Sequence, residues 1–457
     1  MKKTLSLILV VLLAVSLLAG CQQAGVAPTQ APTGAPTQEP TAEPTQEPTQ
    51  PPIQAAVLQV GFGRVDISPK TPVSLTGYGD ADTRISEGTD VPLMSTCIAF
   101  TGEDGNTLLL FYNDLCTSET TTTDACRKAV SEATGISVDN IMSAATHIHS
   151  APSLGLNSKY PGTAEYSSTL PQKMVEAAQA ALADRKEAKM YITTVATENM
   201  NFIRHYNMKD GTVSGDNFGS KASGYASHVG EPDRDLQLIK FTREGKKDII
   251  LANFATHPHK QGIDALYNYA HSDIVGVMRQ ELEAKKDCLF AYFTGAGGNV
   301  NPMSKFPWEK IYKDFRDQGA AMAQYAFDAY DSFTEVKTGN VKVQKTIYIA
   351  QPKESGKTVP NILMYAFSIG DVAFVCAPYE MFSENGVQIK EGSPFKMTFV
   401  STYTNQHVKY IPSEAGFEYP GVGYSYEGRV CQYEKGTAEK LVAKYAEMLN
   451  MLDASQR

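Results

Sequence analysis

The stretch Ala144-Ala145-Thr146-His147-Ile148-His149-Ser150-Ala151-Pro152 is the part of this 457-residue chain around which the rest is organised. The run from Asn140 to Ala145, which leads into the histidines, is short, partly apolar and made largely of small residues. Such a run predicts a buried strand. Pro152 ends regular strand pairing. Because side chains two residues apart share one face of a strand, we predict that His147 and His149 lie together at a strand end. Such a pair could bind a metal, relay protons or do both, and the alternative is two histidines bonded only to backbone.

A second motif of the same kind lies at Asn253-Phe254-Ala255-Thr256-His257-Pro258-His259. The apolar run from Ile249 to Phe254 predicts another buried strand that ends in histidines beside a proline. Ligands of α/β sheets bind at strand ends, and catalytic zinc takes about three nitrogen or oxygen ligands. Four of the eight histidines lie in these two motifs, so the sequence predicts one shared site. Independent capping histidines are the alternative.

Strand-like and helix-like runs alternate from Ala56 to the end of the chain. This alternation predicts an α/β fold: one large domain, residues 56–457, with mixed sheets flanked by helices and long loops. Val57 to Gly63 predicts a strand that enters a glycine-rich turn, and it lacks the third glycine of a dinucleotide-binding fingerprint. Gly295 to Pro302 follows a further predicted strand and forms either a tight loop whose N–H groups line the site or a simple turn.

Predicted helices flank these strands. One begins at Thr169 or Pro171 and runs through Ala183, where alanine is frequent. A longer helix is predicted from Tyr312 to Ser332, and the last one from Lys435 to Leu449. No composition shift marks a second folded domain within 56–457.

Composition and charge exclude some classes of protein. The chain is 42% hydrophobic and 20% charged, as globular proteins are. Its net charge of -9 argues against a nucleic-acid partner. The cysteines after Cys21 form no Cys-x-x-Cys pair, so a thiolate zinc site is not indicated and they are expected to act as small core residues. The sequence predicts no oligomeric state.

The N-terminus has the pattern of a lipoprotein signal peptide over residues 1–20. Lys2 and Lys3 precede a mostly apolar run, and Leu18-Ala19-Gly20-Cys21 resembles a lipoprotein signal-peptidase site. The pattern implies cleavage before Cys21 and lipidation of its thiol, with plain secretion as the alternative. We therefore expect an extracytoplasmic, bacterial lipoprotein that is anchored to the membrane at Cys21.

Residues 21–55 join Cys21 to the folded domain. Prolines recur at every fourth position of this segment: Pro28, Pro32, Pro36, Pro40, Pro44, Pro48 and Pro52. Because threonine, glutamine, alanine and glutamate fill the gaps, the segment cannot bury a core and is expected to be an extended, semi-rigid tether.

Six short motifs, in order, resemble the N-terminal catalytic domain of the neutral/alkaline (non-lysosomal) ceramidase family. They are Gly61-Phe62-Gly63-Arg64-Val65-Asp66-Ile67-Ser68-Pro69, Thr146 to Pro152, Asn201-Phe202-Ile203-Arg204, Asn253 to Pro258, Pro378-Tyr379-Glu380, and Tyr410 with Tyr426-Glu427. The resemblance spans about residues 58 to 430. Because the sequence ends soon after Tyr426, we do not expect a counterpart of the C-terminal β-sandwich domain of full-length family members.

The resemblance implies a zinc-dependent amidase that cleaves an N-acyl lipid such as ceramide with metal-activated water. It implies four zinc ligands: His147, His257, Glu380 and Tyr410. It places three further residues around the scissile amide: His149, Arg204 and Tyr426. Each of these has an ordinary alternative, because Arg204 could be a surface charge, Glu380 a carboxylate at a helix start, and the tyrosines packing residues.

The sequence departs from the family at Gly298-Asn299-Val300-Asn301-Pro302, where the family has Gly-Asp-Val-Ser-Pro. A serine nucleophile from this loop is absent, which favours metal-activated water. Two other functions stay open: a non-enzymatic surface lipoprotein that binds a ligand, and a zinc hydrolase of other amides or of esters. Metal content separates the first of these from an enzyme.

Overall fold

Mixed β-sheets backed by helices make up the folded part of the chain. The computed structural model describes residues 57–456 except positions 80, 82, 216–223, 261–262, 307 and 420–421. The predicted signal peptide, Cys21 and the tether lie outside the described residues. None of the helices in the described part combines the length and apolarity that a bilayer crossing requires.

The elements of the described part are as follows. The strands, in chain order, are β1 Gln59–Asp66, β2 Gly88–Thr89, β3 Met94–Thr101, β4 Thr107–Asn113, β5 Ile141–Ala145, β6 Lys186–Glu187, β7 Lys189–Ala196, β8 Phe202–Ile203, β9 His205–Met208, β10 Val213–Gly215, β11 Tyr225–His228, β12 Asp235–Thr242, β13 Asp248–Phe254, β14 Tyr269–Ala270, β15 Cys288–Thr294, β16 Val300–Asn301, β17 Thr334–Val336, β18 Val341–Tyr348, β19 Ile362–Ile369, β20 Val372–Cys376, β21 Glu380–Met381, β22 Met397–Ser401, β23 Tyr410–Ile411, β24 Glu418–Tyr419 and β25 Gly423–Tyr424. The helices are α1 Thr120–Thr134, α2 Thr163–Ala183, α3 Asp273–Lys285, α4 Phe315–Asp328, α5 Ser383–Glu391, α6 Glu414–Phe417, α7 Tyr426–Val430 and α8 Thr437–Gln456.

Three larger sheets dominate the described residues, with strand orders β5-β4-β3-β1-β6, β15-β13-β12-β7-β17 and β18-β19-β20-β22. Each sheet is mainly antiparallel but has one parallel pair at an edge: β4 with β5, β13 with β15, and β20 with β22. The α/β fold with mixed sheets that the sequence predicts is confirmed.

The parallel pairs place the C-terminal ends of their strands at the same sheet edge, and these ends meet. The N–H of Ala145 donates to Tyr403 O at 3.2 Å, which joins the first sheet to the third. Thr294 Oγ1 donates to Thr146 O at 2.6 Å, which joins the second sheet to the first. The N–H of Thr402 donates to Thr294 O at 3.1 Å. The loops that follow these strands therefore converge.

The core lies between the three sheets and between the sheets and the helices. One apolar cluster contains inward-facing residues of all three sheets, such as Phe100, Phe241 and Phe374. The other faces of the first two sheets pack on α1 to α4, and the third sheet packs on α5 and α8. Burial on both faces explains why so many strands are apolar throughout.

Gly61 and Gly63 lie inside β1, so the predicted glycine-rich turn is wrong. Their neighbours Val60 and Phe62 face the shared core, while the glycines face α2. A Cβ atom at Gly61 would lie 2.0 Å from Ala181 O, and one at Gly63 would lie 2.1 Å from Ala177 O. Glycine is required here because the helix backbone lies directly on the strand.

The helix boundaries also differ from the sequence predictions. α2 begins at Thr163 and holds Pro171 within it, because Tyr166 and Leu170 are buried and anchor the preceding turns. α4 begins only at Phe315, where the Asp314 side chain accepts from the N–H groups of Arg316 and Asp317. The last helix runs from Thr437 to Gln456, shifted towards the C-terminus of its predicted range.

Candidate metal centre and active site

His147 and His257 lie in the loops after β5 and β13, and both are buried. His147 has a positive φ of 61°, and its ring stacks on Tyr403 with centroids 3.9 Å apart. His147 Nδ1 lies 2.6 Å from Cys116 O, and His257 Nδ1 lies 2.6 Å from Gly297 O. A carbonyl oxygen only accepts, so each Nδ1 carries the proton and each Nε2 keeps a lone pair.

The two Nε2 atoms converge on Glu380. They lie 3.6 Å (His147) and 3.4 Å (His257) from Glu380 Oε2. Burial lowers the pKa of His147 to about 3, so this imidazole is neutral. A buried carboxylate and two nitrogen lone pairs that face one another form an arrangement that can bind a cation. This set of nitrogen and oxygen donors suits Zn²⁺.

Glu380 belongs to the short strand β21, which pairs in parallel with β23 so that Glu380 lies opposite Tyr410. The alternative that Glu380 begins a helix is wrong, since α5 begins at Ser383. Tyr410 Oη lies 3.3 Å from His257 Nε2, and the residue is buried. The four residues that the resemblance implies as ligands are therefore in one place.

Two further residues contact Glu380, and the sequence did not identify them as site residues. Tyr403 donates its hydroxyl to Glu380 Oε2 at 3.5 Å, and His407 Nε2 lies 3.2 Å from Glu380 Oε1. Both follow β22, which ends at Ser401. A histidine shortly after an apolar strand was a usable signal for His407, whereas nothing in the sequence distinguishes Tyr403.

His149 lies beside the cluster, with Nε2 3.2 Å from His147 Nε2. The two rings meet edge to face although the strand has already ended at Ala145. The loop, and not strand spacing, therefore brings the pair together. His259 is also close: its ring centroid lies 5.0 Å from that of His149, and burial together with His257 lowers its pKa well below the ordinary value.

Arg204 is buried, so the alternative of a surface charge is wrong. Its Nε and Nη2 both donate to Glu427 Oε1, the first at 2.9 Å, and its guanidinium carbon lies 5.4 Å from the centre of the Tyr410 ring. Although burial acts to lower the pKa of Arg204, Tyr410 and Glu427 raise it. The Glu427 carboxylate also faces His205 Nε2 at 3.0 Å. A buried ion pair thus holds a permanent positive charge against Tyr410.

Tyr426 is the first residue of α7, half-buried, and its ring meets that of Tyr410 edge to face at 5.8 Å. It completes a chain of direct contacts from His149 through His147, Glu380 and Tyr410. The structure therefore brings together all seven residues that the resemblance implies for the site.

The glycine-rich loop after β15 lines the site with a carbonyl and not with the predicted N–H groups. Gly297 O accepts from His257, while the N–H of Gly298 donates to Met381 O at 2.7 Å. A Cβ atom at Gly298 would lie 2.9 Å from Glu380 O, so glycine lets the loop lie on β21. Asn301, in β16, occupies the position where the resembling family has serine, and its Oδ1 lies 3.1 Å from His259 Nε2.

No protein-family model and no curated protein matches the chain. Several solved structures are similar to it, among them two ceramidases. One is a ceramidase complexed with C2, with 15% identity and a TM-score of 0.69 over 87% of this chain and 76% of that chain. The other is the neutral ceramidase from Pseudomonas aeruginosa, with 15% identity and a TM-score of 0.68 over 86% of this chain and 74% of that chain. The chain therefore has the fold of a neutral ceramidase, as its motifs predicted.

Proposed function

We propose that this protein is a zinc-dependent hydrolase that cleaves the amide bond of an N-acyl lipid such as ceramide. The observation that carries this proposal is the convergence of His147 Nε2 and His257 Nε2 on the buried Glu380 carboxylate. Three acceptors that face one another repel unless a cation lies among them, which supports a metal centre. The fold shared with two ceramidases supports the choice of substrate.

The metal would be held by His147, His257, Glu380 and Tyr410. Their supporting contacts are of the kind that metal centres use, since Cys116 O and Gly297 O fix the imidazoles in one tautomer. A bound zinc ion supplies Lewis acidity, which polarises the amide carbonyl and lowers the pKa of water.

The chain's own residues would stabilise negative charge on the amide oxygen and move protons. Arg204 carries a charge that Glu427 holds in a fixed direction, and a guanidinium of this kind can bind an oxyanion. Tyr426 is half-buried and places its ring against that of Tyr410. His149, next to His147, is placed to accept or donate a proton during amide cleavage.

Water is the nucleophile in this proposal. Asn301 carries an amide where the family has a serine, and an amide side chain is not a nucleophile. Hydrolysis is therefore expected to pass through no acyl-enzyme. A covalent acyl adduct trapped on any side chain, and detected by mass spectrometry, would contradict attack by water.

The test combines metal analysis of the purified protein with an assay of N-acylsphingosine hydrolysis. We expect about one zinc per chain and metal-dependent release of sphingosine, both lost in His257→Ala. Glu283→Gln is the matched control, because it neutralises a carboxylate that pairs with Arg64 outside the site. Wild-type protein without metal would favour a ligand-binding lipoprotein. If the protein contains metal but hydrolyses only esters or other amides, the proposal of a metal-dependent hydrolase stands, and ceramide is excluded as its substrate.

A further inference from the structure

A buried hydrogen-bond network connects the short strand β24 to the guanidinium of Arg204. Tyr419 Oη lies 2.7 Å from His205 Nδ1, and His205 Nε2 lies 3.0 Å from Glu427 Oε2. Glu427 Oε1 accepts from Nε and Nη2 of Arg204, the first at 2.9 Å. None of the four residues is more than 8% exposed, so bulk water does not replace these contacts. Neither Tyr419 nor His205 is among the residues that the resemblance implies for the site.

The donors and acceptors of this network follow from the chemistry of its groups. Arg204 is permanently charged, and its two N–H groups on Oε1 keep the Glu427 carboxylate ionised. An ionised carboxylate only accepts, so Nε2 of His205 carries a proton and donates it to Oε2. In the neutral imidazole, Nδ1 then accepts from the Tyr419 hydroxyl. His205 is thus held at both ring nitrogens and presents one N–H to Glu427.

The Arg204–Glu427 pair is not a symmetric fork. An arginine commonly donates through two nitrogens to the two oxygens of one carboxylate. Here both Arg204 nitrogens donate to Oε1, and Oε2 faces His205 instead. A glutamate carboxylate rotates readily about its last side-chain bond, so the pair alone does not fix this arrangement. The N–H of His205 favours it, because it gives Oε2 a donor of its own.

Arg204 and His205 are neighbours in the sequence, yet both side chains reach the same carboxylate. Successive residues of a strand face opposite sides of the sheet. Arg204, however, lies between the short strands β8 and β9, where regular strand structure is interrupted. The N–H of Arg204 donates to Asn299 O at 2.9 Å, and His205 O accepts from the N–H of Val229 at 2.9 Å. These bonds hold the backbone where both side chains contact Glu427.

Close backbone packing holds the two partners of His205 together. Tyr419 lies in β24, which pairs with β25, and Glu427 lies in α7. A Cβ atom at Gly428 would lie 2.0 Å from Phe417 O, so α7 lies directly on the segment that precedes β24. The imidazole of His205 therefore lies between two groups whose positions are fixed relative to each other.

We propose that His205, supported by Tyr419, is a positioning residue for Arg204. It holds Glu427 in the rotation that places both Arg204 contacts on Oε1, and this fixes the direction of the guanidinium beside Tyr410. The inference rests on the proposed amide hydrolysis, in which Arg204 stabilises negative charge on the amide oxygen. A guanidinium that can turn is less well placed for that charge, so its loss of position should appear in kcat.

Steady-state kinetics of N-acylsphingosine hydrolysis by zinc-loaded variants measure this effect. His205→Ala should lower kcat by about tenfold and change KM by less than about threefold. His205→Gln places an amide N–H near the Nε2 position, where it can donate to Glu427, and should recover most of the loss. Tyr419→Phe removes only the hydroxyl and should lower kcat by about threefold. Equal kcat in His205→Ala and wild type, or no recovery in folded His205→Gln, would overturn the proposal.

A second substitution covers the case in which His205→Ala does not fold. His205→Asn keeps an amide near the Nδ1 position, but its shorter side chain does not reach Glu427. It should therefore show the kcat loss expected of His205→Ala. Zinc content should stay at the wild-type value in every variant, because His205 is not placed to bind the ion.

Two variants are matched controls for contacts of the same kind outside the site. His228→Ala removes an imidazole whose Nδ1 donates to Ile203 O at 2.6 Å and whose Nε2 lies 3.1 Å from Glu309 Oε2. Tyr166→Phe removes a buried hydroxyl that donates to Ile67 O at 2.8 Å. Both should lower stability and leave kcat near the wild-type value. Equal kcat losses in the controls would show that His205 acts only through general stability.

A double variant shows whether His205 acts through Glu427. If it does, adding His205→Ala to Glu427→Gln should lower kcat by less than about twofold further. If the two single effects multiply in full, His205 acts by another route, and the positioning role is wrong.

A crystal structure of His205→Ala gives a readout that does not depend on activity. The Glu427 carboxylate should turn so that each of its oxygens accepts from one nitrogen of Arg204. If wild type hydrolyses no amide but the carboxylate turns in the variant, the hydrolase proposal fails and the positioning by His205 stands. A carboxylate that keeps its wild-type rotation without His205, or one that turns while kcat stays unchanged, contradicts the inference.

Discussion

His147 and His149 are two residues apart, but their different contacts indicate different roles. His147 is held by Cys116 O and directs Nε2 at Glu380, whereas His149 places Nε2 3.2 Å from His147 Nε2 and meets the His257 ring edge to face. His147→Ala should abolish both zinc binding and activity, because the remaining ligands hold metal poorly. His149→Ala should keep most of the zinc and lose rate by on the order of a hundredfold. Metal analysis and N-acylsphingosine hydrolysis on the same samples measure both.

The division of roles fails if both variants keep stoichiometric zinc, or if both lose it. In the first case His147 is not a ligand. In the second case His149 is needed to hold the metal, and its catalytic role has no support.

Glu427 is a positioning residue for Arg204, and the sequence placed it in a motif without giving it a role. Glu427→Gln keeps the shape but removes the charge that compensates a buried guanidinium. We expect a loss of about 3–5 kcal/mol in the free energy of unfolding. We also expect a fall in kcat of about tenfold or more with a smaller change in KM, because the guanidinium is no longer fixed. Urea titration and steady-state kinetics test this.

Glu283→Gln is the comparison for Glu427→Gln. The Arg64–Glu283 pair also has two hydrogen bonds, but it is part-exposed and lies outside the site. Its loss should lower stability less and leave kcat at the wild-type value. Equal kinetic effects in the two variants would show that Glu427 acts only through general stability.

At the scale of elements, the sequence predicted most of the strands that are buried on both faces, but it missed β22, which is also buried. The runs that end in His147 and His257 were found because apolar length alone indicates them. The glycines of β1 and Pro171 of α2 were misread because their meaning comes from a helix packed on a strand, which no local pattern reveals. Tyr403 was missed for a similar reason, because β22 reaches the site through its pairing with β20. His407 had a local signal, a histidine shortly after an apolar strand, that the sequence analysis did not use.

The end of α2 illustrates how one side chain can join elements. Asp184 follows the helix and accepts from the N–H of Phe62 in β1 at 3.0 Å, and it pairs with Arg243 and Lys246. Burial acts to raise the pKa of Asp184, but these partners hold it below its ordinary value. Asp184→Asn should lower the free energy of unfolding by about 1–3 kcal/mol at neutral pH.

The effect of Asp184→Asn should depend on pH in a defined direction. The folded pKa lies below the unfolded value of about 3.9, so the stabilisation is present above about pH 4 and disappears as pH falls through the folded pKa. Urea titrations at several pH values would measure this. Asp287→Asn is the control, since Asp287 is 82% exposed in its pair with Lys247 and should change stability little at any pH. If the difference in free energy of unfolding between wild type and Asp184→Asn were the same at every pH, the ionic origin of the stabilisation would be contradicted.

At the scale of the whole molecule, we propose that the chain is anchored to a bacterial membrane through a lipid on Cys21. Support comes from the sequence pattern of residues 1–55. Cys21→Ser should move the protein from the membrane fraction to the soluble fraction while hydrolysis per molecule stays unchanged. Cys97→Ser, at a buried core cysteine, is the control and should stay with the membrane. Retention of Cys21→Ser on membranes would contradict lipidation at this residue.

The candidate metal centre also lies where the three large sheets meet. His147 follows β5 of the first sheet, His257 follows β13 of the second, and Glu380 follows β20 of the third. A ligand that binds only the folded chain stabilises it by about 2.7 kcal/mol at a hundred times its Kd. Removing zinc with a chelator should therefore lower the Tm of the whole domain by a few degrees and leave the acceptors of the cluster facing one another.

Zinc added back should restore the Tm, and two variants show where it acts. His147→Ala should have a lower Tm that zinc no longer raises, because one sheet has lost its connection to the metal. Glu427→Gln should also have a lower Tm, but zinc should still raise it by the wild-type amount, since Glu427 contacts Arg204 and is not placed to bind the ion. Calorimetric scans with and without zinc give both values. If zinc stabilises His147→Ala as much as wild type, the ion binds elsewhere and does not join the sheets at this site.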